Sequence, residues 1–242
     1  MTVTFLRALA CSALVLGLAC TAPRDTTPGD APVTADNAAA DTAGGWTSLF
    51  DGTSLDAWRG FRQDSVPAGW QVQDGTLARV GGGGDLITRE QYGDFELELE
   101  WRVDSAGNSG VMYRVTEEED ETYKTGPEMQ VLDDAGHQDG GARLTAAGSV
   151  YGLYPAPEGV VRPAGEWNAA RIRVEDNVVE HWLNGTQIAR YELGSDEWKG
   201  LVAASKFSQW PSYGLAPQGH IALQDHGDPV WFRGIRIRRL DG

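Results

Sequence analysis

Phe95-Glu-Leu-Glu-Leu-Glu-Trp-Arg-Val103 decides the fold. Its five apolar side chains, Phe95, Leu97, Leu99, Trp101 and Val103, alternate with Glu96, Glu98, Glu100 and Arg102. A period of two puts each set on its own side of an extended chain, so one face meets a core and the other meets water. Half-buried strands of this kind belong to antiparallel sheets, because parallel sheets are covered on both faces.

The same signature returns on either side. Ala170-Arg-Ile-Arg-Val-Glu175 alternates, Asp176-Asn177 turns, residues 178–183 return, and Asn184-Gly185 leads into residues 187–193. Asn-Gly suits the tight hairpin turn whose two central residues both need positive φ. Asp74-Gly75 predicts a second hairpin, and Asp51-Gly52 a turn between Phe50 and Leu55. Ser105-Ala-Gly-Asn-Ser-Gly110 reads as a turn, with residues 111–115 returning. A closing strand over 230–240 turns Ile235 and Ile237 inward and Arg236 and Arg238 outward. The glycines at 81–84 lack the Gly-Lys-Ser/Thr of a phosphate loop and read as plain loop. The acidic run 117–121 reads as a solvated loop. With no internal repeat and no βα alternation, the expectation is an all-β chain folded as an antiparallel jelly-roll sandwich of lectin or glucanase size.

Three zones follow from composition. Arg7, the short apolar run to Ala19 and Leu16-Gly-Leu-Ala-Cys20 resemble a bacterial lipoprotein signal over 1–19, which makes Cys20 the lipidated first residue. That run is too short to span a bilayer as a permanent helix. Loss of Cys11 with the signal would leave no cysteine except the anchor, hence no disulfide. Residues 20–44 are mostly Ala, Thr, Asp, Pro and Gly, the composition of a disordered tether. Residues 45–242 would form the single folded domain. The chain carries 20 basic and 35 acidic side chains, net -15, which argues against nucleic acid as a partner. Membrane contact is expected through the lipid anchor alone, and the location is the cell envelope, facing the periplasm or the outer surface.

Candidate chemistry lies in two segments. In Gly126-Pro-Glu-Met-Gln-Val-Leu-Asp-Asp-Ala-Gly-His137, strand alternation turns Glu128 and Gln130 to one face and Met129 and Val131 to the other. In His220-Ile-Ala-Leu-Gln-Asp-His226, the residues His220, Ala222, Gln224 and His226 share a face. Side by side in one sheet, the two would offer a carboxylate, two amides and imidazoles on a shallow surface. Asp133, Asp134, His137 and Asp139 form a loose acidic and imidazole group, so a divalent cation is the one cofactor left open; no tight ligand spacing assigns a metal.

Several phrases resemble a known family in its order. They are Trp46-Thr-Ser-Leu-Phe-Asp-Gly52 with Leu55 and Trp58, Asn108-Ser-Gly-Val-Met-Tyr-Arg114, Pro127 to Asp133 with His137, Gly165-Glu-Trp-Asn168, His181-Trp-Leu-Asn-Gly185, Ser205-Lys-Phe207 and Leu223-Gln-Asp-His-Gly227. From Gly45 to the end the chain resembles the 3-keto-disaccharide hydrolase domain. Gly234 stands where related sequences commonly have Asn, and Gly152 where they often have Asp. The resemblance implies a concanavalin-like jelly roll that cleaves the glycosidic bond of a sugar oxidised at C3, by C2 proton abstraction, elimination and hydration. His226 or Glu128 would be the base, with His137 as alternative proton donor. Arg114, Gln130 and Gln224 would bind hydroxyls or polarise the ketone, and Asp133 or Asp225 would be the second acid in a direct two-carboxylate hydrolysis. Tyr113, Tyr151 and Trp210 would be sugar platforms, and Lys206 a ligand contact. The alternatives are a carbohydrate-binding surface lipoprotein without catalysis and a purely structural lipoprotein.

Overall fold

The computed structural model describes residues 44–240; the expected signal, Cys20 and nearly all of the tether lie outside them. Among the described residues, the strands build two antiparallel sheets. The larger runs β11 (Thr186–Glu192), β10 (Val178–Leu183), β9 (Asn168–Glu175), β6 (Phe95–Val103), β13 (Val230–Arg239), β4 (Thr76–Arg79) and β3 (Trp70–Gln73), with β1 (Thr47–Phe50) also paired to β13. The smaller runs β2 (Trp58–Gly60), β5 (Leu86–Thr88), β12 (His220–Leu223), β7 (Asn108–Val115) and β8 (Glu128–Leu132). Non-consecutive neighbours in both sheets make this a jelly roll, as the alternation implied.

The two inner faces form the core. All five apolar residues of β6 are buried, in one cluster with Val111, Tyr113, Met129, Val131, Ile221 and Leu223 of the smaller sheet. Burying a side chain of this size stabilises the fold by about 1.5–3 kcal/mol each. The three hairpins have positive φ at both central residues: Asp74 and Gly75 (49° and 72°), Asp176 and Asn177 (50° and 66°), Asn184 and Gly185 (50° and 82°).

Strand β13 departs from simple alternation. Its register shifts between Arg233 and Arg236, so Phe232 and Ile235 both point inward across one extra residue. Gly234 takes up the bulge at φ 58°. Asn is among the few other residues that tolerate this left-handed conformation. Gly152 is likewise left-handed, at φ 73°.

The outer face of the larger sheet is laced by charge. Cross-strand rows read Glu180, Arg173, Glu96, Arg238 and Trp182, Arg171, Glu98, Arg236. Arg236 reaches Glu98 at 2.7 Å and Arg233 reaches Glu100 at 2.8 Å. Exposed pairs contribute about 0–1 kcal/mol each. Their greater effect is on register, since a one-residue slip would put every charge into the core.

Two elements differ from the sequence reading. Strand β7 starts at Asn108, not at Val111, so the supposed turn residues Asn108 and Gly110 lie in the smaller sheet. Helix α1 (Asp196–Ala203) was not anticipated; Ser195 caps it, its Oγ accepting the Trp198 N–H at 3.1 Å.

Candidate active site

The outer face of the smaller sheet carries a hollow of about 160 Å³. Alternation along β8 sends Met129 and Val131 into the core and leaves Glu128 and Gln130 for the hollow. The neighbouring β7 contributes Asn108 to the lining, and its Gly110 lies opposite Gln130 in register. Gly110 has no side chain, and the Glu128 carboxyl occupies the space one would fill. Gln224, just beyond β12, completes the floor; Tyr123, Asp139, Tyr151, Lys206 and His226 form the rim.

Glu128 is 6% exposed, and no protein group hydrogen-bonds its carboxyl among the described residues. Desolvation pushes its pKa up to about 8, against the pull of Lys206 and aided by Asp85 and Asp139. Near neutral pH this carboxyl therefore holds its proton and can donate it. Lys206 opens a short 3-10 turn (Lys206–Gln209) in which Ser205 Oγ accepts the Phe207 N–H at 3.1 Å. Its ammonium lies 4.3 Å from the Tyr151 ring centre, with Phe207 at 5.2 Å and Tyr123 at 5.7 Å. Burial lowers its pKa, while Glu128 and Asp139 oppose the shift. Tyr151 donates a long hydrogen bond, 3.5 Å, to Asp139 Oδ2. Gln130 donates to the Thr145 carbonyl at 3.2 Å and leaves its own buried oxygen without a partner.

The two histidines meet at Asn108. Its amide nitrogen lies 3.5 Å from Nε2 of His137 and 3.4 Å from Nε2 of His226, and the two rings are 6.1 Å apart at 81°. His137 Nδ1 accepts the Asp139 N–H at 3.1 Å, so a neutral His137 carries its proton on Nε2. The Asn108 oxygen is buried and has no partner among the described residues. Turning the carboxamide would bring that oxygen to the His137 N–H. His226 lines the hollow itself; His137 stands behind Asn108.

Of the residues expected from sequence, Glu128, Gln130, Tyr151, Lys206, Gln224 and His226 come together here, with His137 adjoining. Four others do not. Tyr113 points the opposite way from Gly110 and is sealed between the sheets, its hydroxyl against Tyr191 and 3.1 Å from His181 Nε2. Arg114 sits at φ 52° and ties the Asp176-Asn177 hairpin, reaching Asn177 at 2.6 Å and Asp94 at 3.4 Å. Asp133 caps its own turn, accepting from Ala106 N at 2.8 Å and Ala135 N at 3.2 Å. Asp225 pairs with Arg79 at 2.7 Å and accepts the N–H groups of Gly83 and Gly84, so it fills the glycine loop. Trp210 packs on Tyr123 outside the hollow's lining, and His220 is held by the Thr88 carbonyl at 2.7 Å.

The expected acidic group also disperses. Asp134 accepts the Ala147 N–H at 2.7 Å, and among the described residues no three His, Cys, Asp or Glu converge as metal ligands. The carboxylate that shares the hollow with Glu128 is Asp139. Asn108 and Tyr123 are site residues that sequence reasoning missed; the phrase beginning at Asn108 was noted, without any role for its side chain.

Comparison with known proteins agrees with this architecture. Residues 45–238 match the family described as the 3-keto-alpha-glucoside-1,2-lyase-like domain. A Bacteroides thetaiotaomicron 3-keto-disaccharide hydrolase is 38% identical, covering 82% of this chain and 80% of that protein. A Parabacteroides distasonis crystal structure, described as a candidate glycosyl hydrolase, superposes with a TM-score of 0.77 at 34% identity, covering 82% and 95% of the two chains. A second structure from that organism, described likewise, gives 0.63 at 30% identity, covering 81% and 99%. In fold and in sequence alike, the chain belongs to the 3-keto-alpha-glucoside-1,2-lyase-like domain family.

Proposed function

We propose that the protein is a carbohydrate-active hydrolase cleaving the glycosidic bond of a sugar that carries a ketone at C3. The observation that supports this best is Glu128, a protonated carboxyl without an internal partner, facing a hollow shared with His226 and Lys206. A C3 ketone acidifies the C2 proton, so a base can remove it and the C1 substituent can leave by elimination. In this reading His226 takes the C2 proton and Glu128 protonates the departing oxygen. Gln130 and Gln224 bind hydroxyls, Tyr151 offers a ring edge, and Lys206 faces the ketone. Water then adds at C1, and return of the proton to C2 makes the net reaction hydrolysis.

The reading also places the enzyme in the cell envelope, held by a lipid on Cys20; this rests on the amino-terminal sequence alone. The activity test is release of aglycone from a glucoside and from its 3-keto form, each with and without a chelator. Release from the 3-keto form alone is expected. Equal release from the unoxidised glucoside would favour direct hydrolysis through Glu128 and Asp139 and overturn the elimination route.

A further inference from the structure

We propose that Lys206 is a nucleophile, its ε-amine condensing with the C3 ketone to form an iminium that serves as the electron sink. This deepens the reading above and rests on a 3-keto-glycoside as substrate.

The argument starts from what surrounds the amine. Lys206 lines the hollow with Glu128 and His226, yet no carboxylate or carbonyl lies within ion-pair or hydrogen-bond distance of its nitrogen among the described residues. Rings of Tyr151, Phe207 and Tyr123 stand around it instead, while the residue as a whole stays open to solvent and to an arriving ketone. The Ser205-capped turn fixes the stem from which it extends. Burial shifts the amine toward its neutral, nucleophilic form.

Residue choice across the chain points the same way. The sequence has only three lysines, at 124, 199 and 206, against seventeen arginines (20 minus 3). The sheet-face carboxylates Glu96, Glu98 and Glu100 are met by arginine, the cation that never deprotonates. Lys206 places a group that can lose its proton where a ketone would arrive.

The steps balance without any oxidant or reductant. The neutral amine adds to C3, and the carbonyl oxygen leaves as water after taking two protons. His226 removes the C2 proton, giving an enamine. The enamine pair expels the C1 oxygen, which takes the proton of Glu128, leaving C1=C2 conjugated to the C3 iminium. One water adds at C1, the proton returns to C2, and a second water frees the amine and restores the ketone. Condensation releases one water and these steps take up two, so one is consumed overall.

The test is reductive trapping on the full chain, with methyl 3-keto-glucoside and sodium cyanoborohydride. The expected result is inactivation that needs both reagents, with one reduced sugar on Lys206 and none on Lys124 or Lys199 by peptide mass mapping. Lys206→Arg should lower kcat by about a thousandfold. Treating Lys206→Cys with 2-bromoethylamine, which rebuilds an amine of similar length, should restore about tenfold or more over the untreated variant. Steady cleavage of the 3-keto-glucoside under cyanoborohydride, with no adduct, would overturn the nucleophile while leaving the substrate reading intact. Failure to cleave any 3-keto-glucoside would remove that reading and the nucleophile with it. Trapping is read on the unaltered protein, so it stands even if a variant does not fold.

Discussion

The carboxyl of Glu128 lies across the bare backbone of Gly110 on the neighbouring strand. A Cβ at Gly110 would fall 2.7 Å from Cδ and 2.9 Å from Cγ of Glu128, far inside contact distance, and closer still to Oε1. The glycine is what lets the carboxyl lie down in the sheet.

Gly110→Ala should therefore displace the acid without dismantling the fold. Overpacking of this kind costs about 1–3 kcal/mol. Activity on a 3-keto-glucoside should fall by about a hundredfold or more. Thermal melting and kcat together check this; a variant with normal turnover would show that the carboxyl's resting place does not matter to the chemistry.

Glu128→Gln should lose about a hundredfold or more in rate and yet become more stable than the parent as pH rises. The folded pKa of about 8 lies above the reference 4.5, so the native state holds a proton that the unfolded chain releases between those values. Stability is thus lost as pH rises from about 4.5 through 8, and the glutamine variant escapes that loss. Melting temperatures of both proteins across pH 5–9 should diverge steadily, with the variant the more stable at the alkaline end.

His181 gives the opposite slope. Burial alone lowers its pKa from 6.5 to about 3, so the unfolded chain takes up a proton that the native state refuses. Stability present above about 6.5 is lost as pH falls toward 3. His181→Gln should flatten the acid limb of the melting-temperature profile, whatever its effect at neutral pH.

The two site histidines should separate by degree. His226 lines the hollow, whereas His137 meets it through Asn108. His226→Ala should cost about a hundredfold or more in kcat, and His137→Ala about tenfold. Reversal of that order would move the base to His137.

On the far sheet, Gly234→Asn should melt like the parent, and Gly234→Val should be destabilised by about 1–3 kcal/mol, because φ is 58° there. Neither should alter KM, since the bulge belongs to the sheet that does not carry the hollow.

Much of this was legible from residue pattern. Alternation alone placed Glu128 and Gln130 opposite Met129 and Val131, and the Asp-Gly, Asp-Asn and Asn-Gly pairs marked their hairpins. Asn108 and Gly110 were hidden because Asn, Ser and Gly favour turns locally, and only pairing with β8 overrides that preference. Tyr113 and Arg114 misled for two reasons: adjacent strand residues face opposite sides, and the left-handed backbone at Arg114 leaves no mark on composition. Asp225 looked catalytic beside His226, but it is consumed by Arg79 and two loop amides that lie more than 140 positions away in the chain. Lys206 follows from family resemblance, and it is the fold that brings it beside Glu128.

Because the acid, Gln130 and Asn108 belong to paired strands while Lys206, Tyr151 and Asp139 belong to the surrounding turns, the two parts can evolve at different speeds. Any change to the first disturbs a ladder shared by the whole domain, whereas turns can lengthen or swap residues without that penalty. Members that prefer different leaving groups should accordingly keep the same floor and differ around its edge.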